Sequence, residues 1–324
     1  MRYAAVVAAS AALVGTLVSA RDGRSETAPA VRAAAQTVSA AEAPQRSTVT
    51  RRTAQRGQED FRWAGRVARG QQIEIRGIVG DVRAEVASGD QVEVVGRRSG
   101  DNADRVRIEV VEGDDGVTIC AIYPQRRREG RPDGDRGGRG GSRDWCGGDD
   151  TNEGEIDAEE ARIDFTVRVP AGVKFAAQVV AGDVYATSLR SPVDVATVSG
   201  NVEVSTTGTA RAASVSGNVN ATFGQTDGEE MEFATVSGDV VLRMAGNVGA
   251  EVSAQTLSGE IESDFDLRMG SMSGDDEENE DEDDEGGFHV NLDIGRQAKG
   301  TIGRGGPELS VTTVSGDIRL ERAQ

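Results

Sequence analysis

Thr197-Val-Ser-Gly-Asn-Val202, Ser214-Val-Ser-Gly-Asn-Val219, Thr235-Val-Ser-Gly-Asp-Val240, Thr256-Leu-Ser-Gly-Glu-Ile261 and Thr313-Val-Ser-Gly-Asp-Ile318 are five copies of one phrase. An aliphatic residue stands two before the glycine, Asn, Asp or Glu one after it, and Val or Ile two after it. Diverged copies centre on Gly80 (Ile78, Asp81, Val82) and Gly182 (Val180, Asp183, Val184). The structural repeat glycines are therefore Gly80, Gly182, Gly200, Gly217, Gly238, Gly259 and Gly316. From Gly182 to Gly259 they recur every 17 to 21 residues, and the next good copy follows 57 residues later.

Side chains of a strand alternate between its faces, so positions −2 and +2 from the glycine are expected on one side. That reading stacks Val198, Val215, Val236, Leu257 and Val314 as one interior column, and Val202, Val219, Val240, Ile261 and Ile318 as a second. The glycine between them permits a kink, while Ser and the Asn/Asp position face outward. A period near 20 suits one turn of a β-solenoid, whose rungs bury their apolar faces against their neighbours. The fold class expected is all-β and β-solenoid-like, with short strands, Ser-Gly-Asp/Asn turns and an N-terminal β extension. An antiparallel β-sandwich or prism is the alternative. Rungs about 4.8 Å apart would set Asp239 against Glu260 with like charge, which is unfavourable without a counter-ion.

The rest of the chain frames this repeat. Period-2 text begins near Phe61 and Trp63 and continues through Ile73-Glu-Ile75, Val82 to Val86 and Val92-Glu-Val94. Val106 to Val110 and Val117 to Ala121, on either side of Gly113-Asp-Asp-Gly116, read as a hairpin. Ile163 to Val169 is a further strand, stopped by Pro170. Phe265, Leu267 and Met269 alternate, as do Phe288, Val290, Leu292 and Ile294, which predicts a hairpin interrupting the repeat.

The chain of 324 residues has 42 glycines, 4% aromatics and a formal net charge of −19. Few aromatics leave the core to small β-branched residues, and the charge argues against broad nucleic-acid binding. Arg2, the apolar run Ala4 to Val18 and Val18-Ser19-Ala20 form a signal-peptide pattern. The expected organisation is a signal peptide at 1–20, a disordered linker at 21–58 and an N-terminal β-strand region at 61–123. A disordered Arg/Gly-rich and acidic insertion follows at 124–160, then the β-repeat domain at 161–324 with an acidic hairpin loop at 270–287. No later segment is long and apolar enough to span a bilayer. Export places the protein in the periplasm, at the cell surface or outside the cell. In that setting Cys120 and Cys146 are expected to form a disulfide, stabilising by about 3.5 kcal/mol on the chain-entropy estimate.

The phrase, the strand ending in Val169-Pro170 and the terminal Gly305-Gly-Pro-Glu-Leu-Ser-Val-Thr-Thr-Val-Ser-Gly-Asp-Ile-Arg-Leu320 resemble the exported bacterial DUF4097 family of adhesin-like β-strand repeat proteins. The resemblance is best over about 163–320. It implies a β-solenoid-like protein of the cell envelope or surface, and it supplies no catalytic residues.

No chemistry stands out on its own. His289, the only histidine, alternates with apolar strand residues. No Gly-x-Ser-x-Gly elbow, phosphate-binding glycine loop or zinc cluster appears. The tip from Asp275 to Glu285 holds ten carboxylates. Asp275, Asp276, Glu277, Glu278, Asp281 and Asp283 are weak candidates for cation binding, lacking EF-hand spacing. The expectation is a non-enzymatic protein without cofactor, whose partner is an unknown envelope or surface macromolecule, protein or polysaccharide, and not nucleic acid. The alternatives are a polysaccharide-active β-solenoid enzyme and an envelope-stress sensing or regulatory partner. Carboxylates converging with an Arg or Lys in one groove would favour the enzyme.

Overall fold

The computed structural model describes residues 59–124, 160–224, 228–246, 248–271 and 295–323, with the main chain of 51–55. The expected signal peptide, the Arg/Gly-rich stretch and the acidic tip, with Cys146 and His289, lie outside the described residues.

Among the described residues, two large sheets face one another across a shared core. The first sheet has twelve strands, in the spatial order Arg51–Gln55, Arg107–Gly113, Gly116–Ile122, Gln72–Arg76, Lys174–Ala181, Val193–Ser199, Ala210–Ser216, Met231–Ser237, Glu308–Ser315, Ala250–Ser258, Arg296–Ile302 and Arg268–Ser271. The second has ten: Ile261–Ser263, Ile318–Arg322, Val240–Met244, Val219–Phe223, Val202–Thr206, Val184–Leu189, Val82–Val86, Arg162–Val169, Val92–Ser99 and Phe61–Gly65.

Each copy of the phrase joins a strand of the first sheet to a strand of the second, and copies adjacent in the stack pair in parallel and in register. This is a β-solenoid-like stack of two-strand rungs. The rung at 72–86 stacks in parallel on the rung at 174–189 in both sheets. Antiparallel strands finish both ends of the first sheet and one end of the second, whose other end is the parallel strand Ile261–Ser263. The 107–113 and 116–122 strands form the expected hairpin, closing at Gly113 opposite Gly116. Residues 268–271 run antiparallel to 296–302, while the hairpin arm expected from Phe288 to Ile294 lies outside the described residues.

The +2 column is largely as the sequence implies: Val82, Val184, Val202, Val219, Val240 and Ile318 are buried in register, and Ile261, on the edge strand, is half-buried. The −2 column is not. Val180 and Val198 are 48% and 43% exposed, and Val215, Val236, Leu257 and Val314 are only half-buried. The buried position is −3, held by Thr197, Ser214, Thr235, Thr256 and Thr313. Strict alternation cannot carry through the glycine, because the chain turns there from one sheet into the other. At Gly200 φ is +156°, and a Cβ would lie 2.0 Å from the carbonyl oxygen of Gly182. Glycine is thus required by close stacking of one corner on the next. Each −3 hydroxyl donates to the glycine carbonyl of the preceding rung, as Thr197 Oγ1 does to Gly182 O at 2.9 Å.

Asp239 and Glu260 are not neighbours either. The C-terminal rung, 308–322, is inserted between the 231–244 and 250–263 rungs in both sheets. Returning chain crosses the corner where Gly249 meets the carbonyl of Gly305, an approach that admits no side chain at Gly249. One further difference concerns the segment expected as linker. Residues 51–55 pair antiparallel with 107–113, because an exposed sheet edge offers backbone groups to any extended segment.

The core is thin and rich in Val and Ala, as the scarcity of aromatics implies. Phe223 and Phe233 stack across it at 5.4 Å between ring centroids.

Candidate binding trough on the first sheet

With −5 and −3 turned inward, positions −6, −4 and −2 of each rung lie on the outer face of the first sheet. Stacking then aligns them in three columns along the solenoid. Column −6 reads Glu74, Ala176, Asp194, Arg211, Glu232 and Ser310 across successive strands. Column −4 reads Arg76, Gln178, Ala196, Ala213, Ala234 and Thr312. Column −2 is the displaced aliphatic row that includes Val180, Val198, Val215, Val236 and Val314. Short alanines in the middle column leave a trough with a charged wall on one side and a valine ridge on the other. Arg76, Gln178, Val180, Asp194, Val198, Arg211, Glu230, Glu232, Glu308 and Ser310 line it.

The charges of this wall are unevenly compensated. Glu74 is buried; its Oε1 accepts from Arg76 Nε at 2.7 Å and its Oε2 from the Thr118 hydroxyl at 3.2 Å. Arg211 is flanked by Asp194 in the adjoining strand, but its Nε donates to the carbonyl of Glu230 at 2.9 Å. The guanidinium is thereby drawn toward the next strand. Among the described residues, the side chains of Asp194 and Glu232 make neither a salt bridge nor a hydrogen bond. Burial pushes the Asp194 carboxyl above its ordinary range; Arg211 opposes the shift and Glu74 adds to it. Burial also raises Glu232, again opposed by Arg211, with Asp194 and Glu230 adding to it. Two carboxylates are held where their charge is under-neutralised, which suits binding of an external cation.

The residues singled out from the sequence lie elsewhere. The repeat glycines and their Asn/Asp neighbours form the corner ladder. Cys120 is fully buried, within the strand 116–122, while its expected partner Cys146 lies outside the described residues. So do Asp275, Asp276, Glu277, Glu278, Asp281 and Asp283. Among the described residues, no group of three or more His, Cys, Asp or Glu is placed to hold a metal ion. Asp194, Arg211 and Glu232 were not distinguished by sequence reasoning. Their signal is column −6 of the repeat, read six residues before each glycine.

The family model described as Toastrack DUF4097 matches residues 150–321. A solved structure from Clostridium sporogenes, described as a candidate cell adhesion protein, is 11% identical with a TM-score of 0.39; the alignment covers 82% of this chain and 100% of that one. A second, described as a candidate adhesin from Bacteroides fragilis, is 10% identical with a TM-score of 0.28, covering 82% and 98%. No curated protein matches the chain. With more than half of its length matched by the family model and its phrase repeated through the stack, the chain belongs to the Toastrack DUF4097 family.

Proposed function

We propose that this chain is an exported β-repeat protein of the cell envelope or surface, and that its rungs are a non-catalytic scaffold for adhesion or another macromolecular contact. The trough is the contact surface. The observation that carries this reading is the alignment of outward positions into continuous columns, which combine exposed Val180 and Val198 with two carboxylates that, among the described residues, no salt bridge or hydrogen bond engages. An extended face of this kind is how solenoids engage long partners. Export rests on the pattern at 1–20, and a Cys120–Cys146 bridge is part of the same proposal. Thiol titration of the denatured, unreduced protein should find no free thiol; two free thiols would remove the bridge.

The test of the contact surface is capture of envelope protein and polysaccharide fractions on immobilised protein, compared with the Ala213→Trp variant. Ala213 faces outward on the trough floor, so an indole there fills the trough without entering the core. Specific capture that the variant loses supports the reading, and no capture by the wild type counts against it.

A polysaccharide-active enzyme is the second reading, favoured by one observation: Asp194 and Glu232 flank Arg211 in a single trough. Two strand spacings put their backbones about 9.6 Å apart, near the range of carboxylate pairs that activate a water in glycoside hydrolysis. Both carboxyls shift in the same direction, however, whereas an acid and a base need environments that separate them. Release of reducing sugar from envelope polysaccharide, lost in Asp194→Asn, would establish this reading over the first.

A further inference from the structure

We propose that the trough takes an extended basic peptide segment, with cationic side chains alternating with aliphatic ones. This rests on the reading of the trough as a contact surface and names its occupant. The trough crosses six strands, from Arg76 to Glu308 and Ser310. Five spacings give about 24 Å, the length of roughly seven extended residues. An extended chain laid along it sends successive side chains to opposite walls, with same-side neighbours about 6.8 Å apart. One wall is column −6, where, among the described residues, the Asp194 and Glu232 carboxylates make no salt bridge or hydrogen bond; the other is the valine ridge. The complementary partner therefore carries Lys or Arg on one edge and Val, Ile or Leu on the other.

Charge and composition of the lining both select this class. Asp194, Glu230, Glu232 and Glu308 outnumber Arg76 and Arg211, and both arginines are already engaged, on Glu74 and on the Glu230 carbonyl. An incoming ammonium or guanidinium would supply the direct ion pair that Arg211, held on the Glu230 carbonyl, does not make. No aromatic side chain is among the described residues lining the trough, so it offers no flat apolar platform for a sugar ring. The alanine floor admits a peptide main chain at close range, and the exposed Val180 and Val198 give aliphatic side chains a surface to cover.

Fluorescence anisotropy of the full chain with a labelled (Lys-Val)4 peptide tests this, with (Glu-Val)4 and a chitosan oligosaccharide as comparators. The expected result is saturable binding of (Lys-Val)4 that weakens at least tenfold in high salt, and no binding of (Glu-Val)4. Asp194→Asn with Glu232→Gln should weaken it at least tenfold, and Ala213→Trp should remove it. Glu203→Gln, on the outer face of the second sheet, should leave it unchanged. Circular dichroism and urea midpoints verify that each variant is folded. Binding that is indifferent to Ala213→Trp overturns the proposal, as does absence of (Lys-Val)4 binding. Chitosan binding with the same dependence on the trough, without peptide binding, overturns the peptide class. If the peptide fails but Ala213→Trp still abolishes capture of envelope fractions, the contact surface stands and only its occupant is wrong. If that capture is also unaffected, both readings fall.

Discussion

The backbone N–H of Asp317 donates to Oδ1 of Asp239 at 2.9 Å, across 78 residues of sequence. Asp317 Oδ1 in turn accepts from the N–H of Glu260 at 3.0 Å. The same link runs through Asp164, Asp81, Asp183, Asn201 and Asn218 to Asp239, so one ladder of side-chain acceptors joins the corners. Like charges in the column are tolerated because each is satisfied by a main-chain donor, with Arg319 lying 3.2 Å from Asp317. Asp317→Ala should lower stability by about 1 kcal/mol, while Asp317→Asn, which keeps the acceptor, should cost less. Urea denaturation of the two variants decides between a ladder of hydrogen bonds and a column of charges.

At Gly200 the constraint is steric as well as conformational. Gly200→Ala places a Cβ against the Gly182 carbonyl oxygen and forces an L side chain to φ +156°. The corner must open, and the loss should reach about 3 kcal/mol. Gly77→Ala, where nothing lies within 4 Å of the added atom, should change stability by less than about 1 kcal/mol. Equal losses at the two sites would mean that corner stacking is not what fixes the glycine.

Thr256 tests the second corner bond. It is fully buried, and its hydroxyl donates to the Gly316 carbonyl at 3.0 Å. Thr256→Val keeps the shape and removes the donor, with an expected cost of about 1–2 kcal/mol. A gain in stability from the added apolar group would show that the hydroxyl contributes nothing net.

Period, all-β class and the +2 column were legible because they follow from local alternation and spacing. The −2 column was not legible, because alternation does not carry through a residue at which the chain changes sheets. Val198 and Thr197 then exchange roles: the valine faces out and the threonine faces in with its hydroxyl satisfied. The position of the last rung was not legible. Met231–Ser237 and Ala250–Ser258 both offer the Thr-x-Ser-Gly phrase, and only three-dimensional pairing places Glu308–Ser315 between them. The trough residues were visible one by one as outward polar positions. What distinguishes Asp194 and Glu232 is the direction in which Arg211 is anchored, and that depends on the neighbouring strand.

The two groups of carboxylates should respond to pH with opposite signs. For Asp81, burial works to raise the carboxyl, but the Asp183 N–H and Arg162 outweigh it and hold it below its ordinary range. Its contribution is present above the unfolded carboxylate range and is lost as pH falls through the lowered value. Asp194 and Glu232 are raised, so the folded state holds their protons more tightly than the unfolded chain does. Their effect is loss of stability as pH rises from the ordinary carboxylate range through the raised values. Asp194→Asn with Glu232→Gln should therefore stabilise the protein at neutral pH and flatten that slope, while Asp81→Asn destabilises it. Urea midpoints from neutral to acidic pH read both. A neutral-pH loss in the trough double variant would show that these carboxylates serve the fold and not a ligand.

Truncation after Gly306 is the sharpest test of the inserted rung. In a solenoid stacked in chain order, the last copy would be terminal, and its removal would fray one end. Here Glu308–Ser315 separates Met231–Ser237 from Ala250–Ser258, and Ile318–Arg322 separates Val240–Met244 from Ile261–Ser263. Deleting the last eighteen residues removes both neighbours of the 250–263 rung's inner edge and bares the edge at 231–244. It also takes Ile318, Leu320 and Val311 from the core. Because solenoid stability is the sum of rung and interface terms, the loss should include the 250–271 and 295–306 segments with the deleted rung. Hydrogen exchange should then show protection surviving at 174–223 and disappearing from 250 onward. Protection of 250–258 that persists in the truncated chain would mean that this strand pairs directly with 231–237, as simple chain order requires.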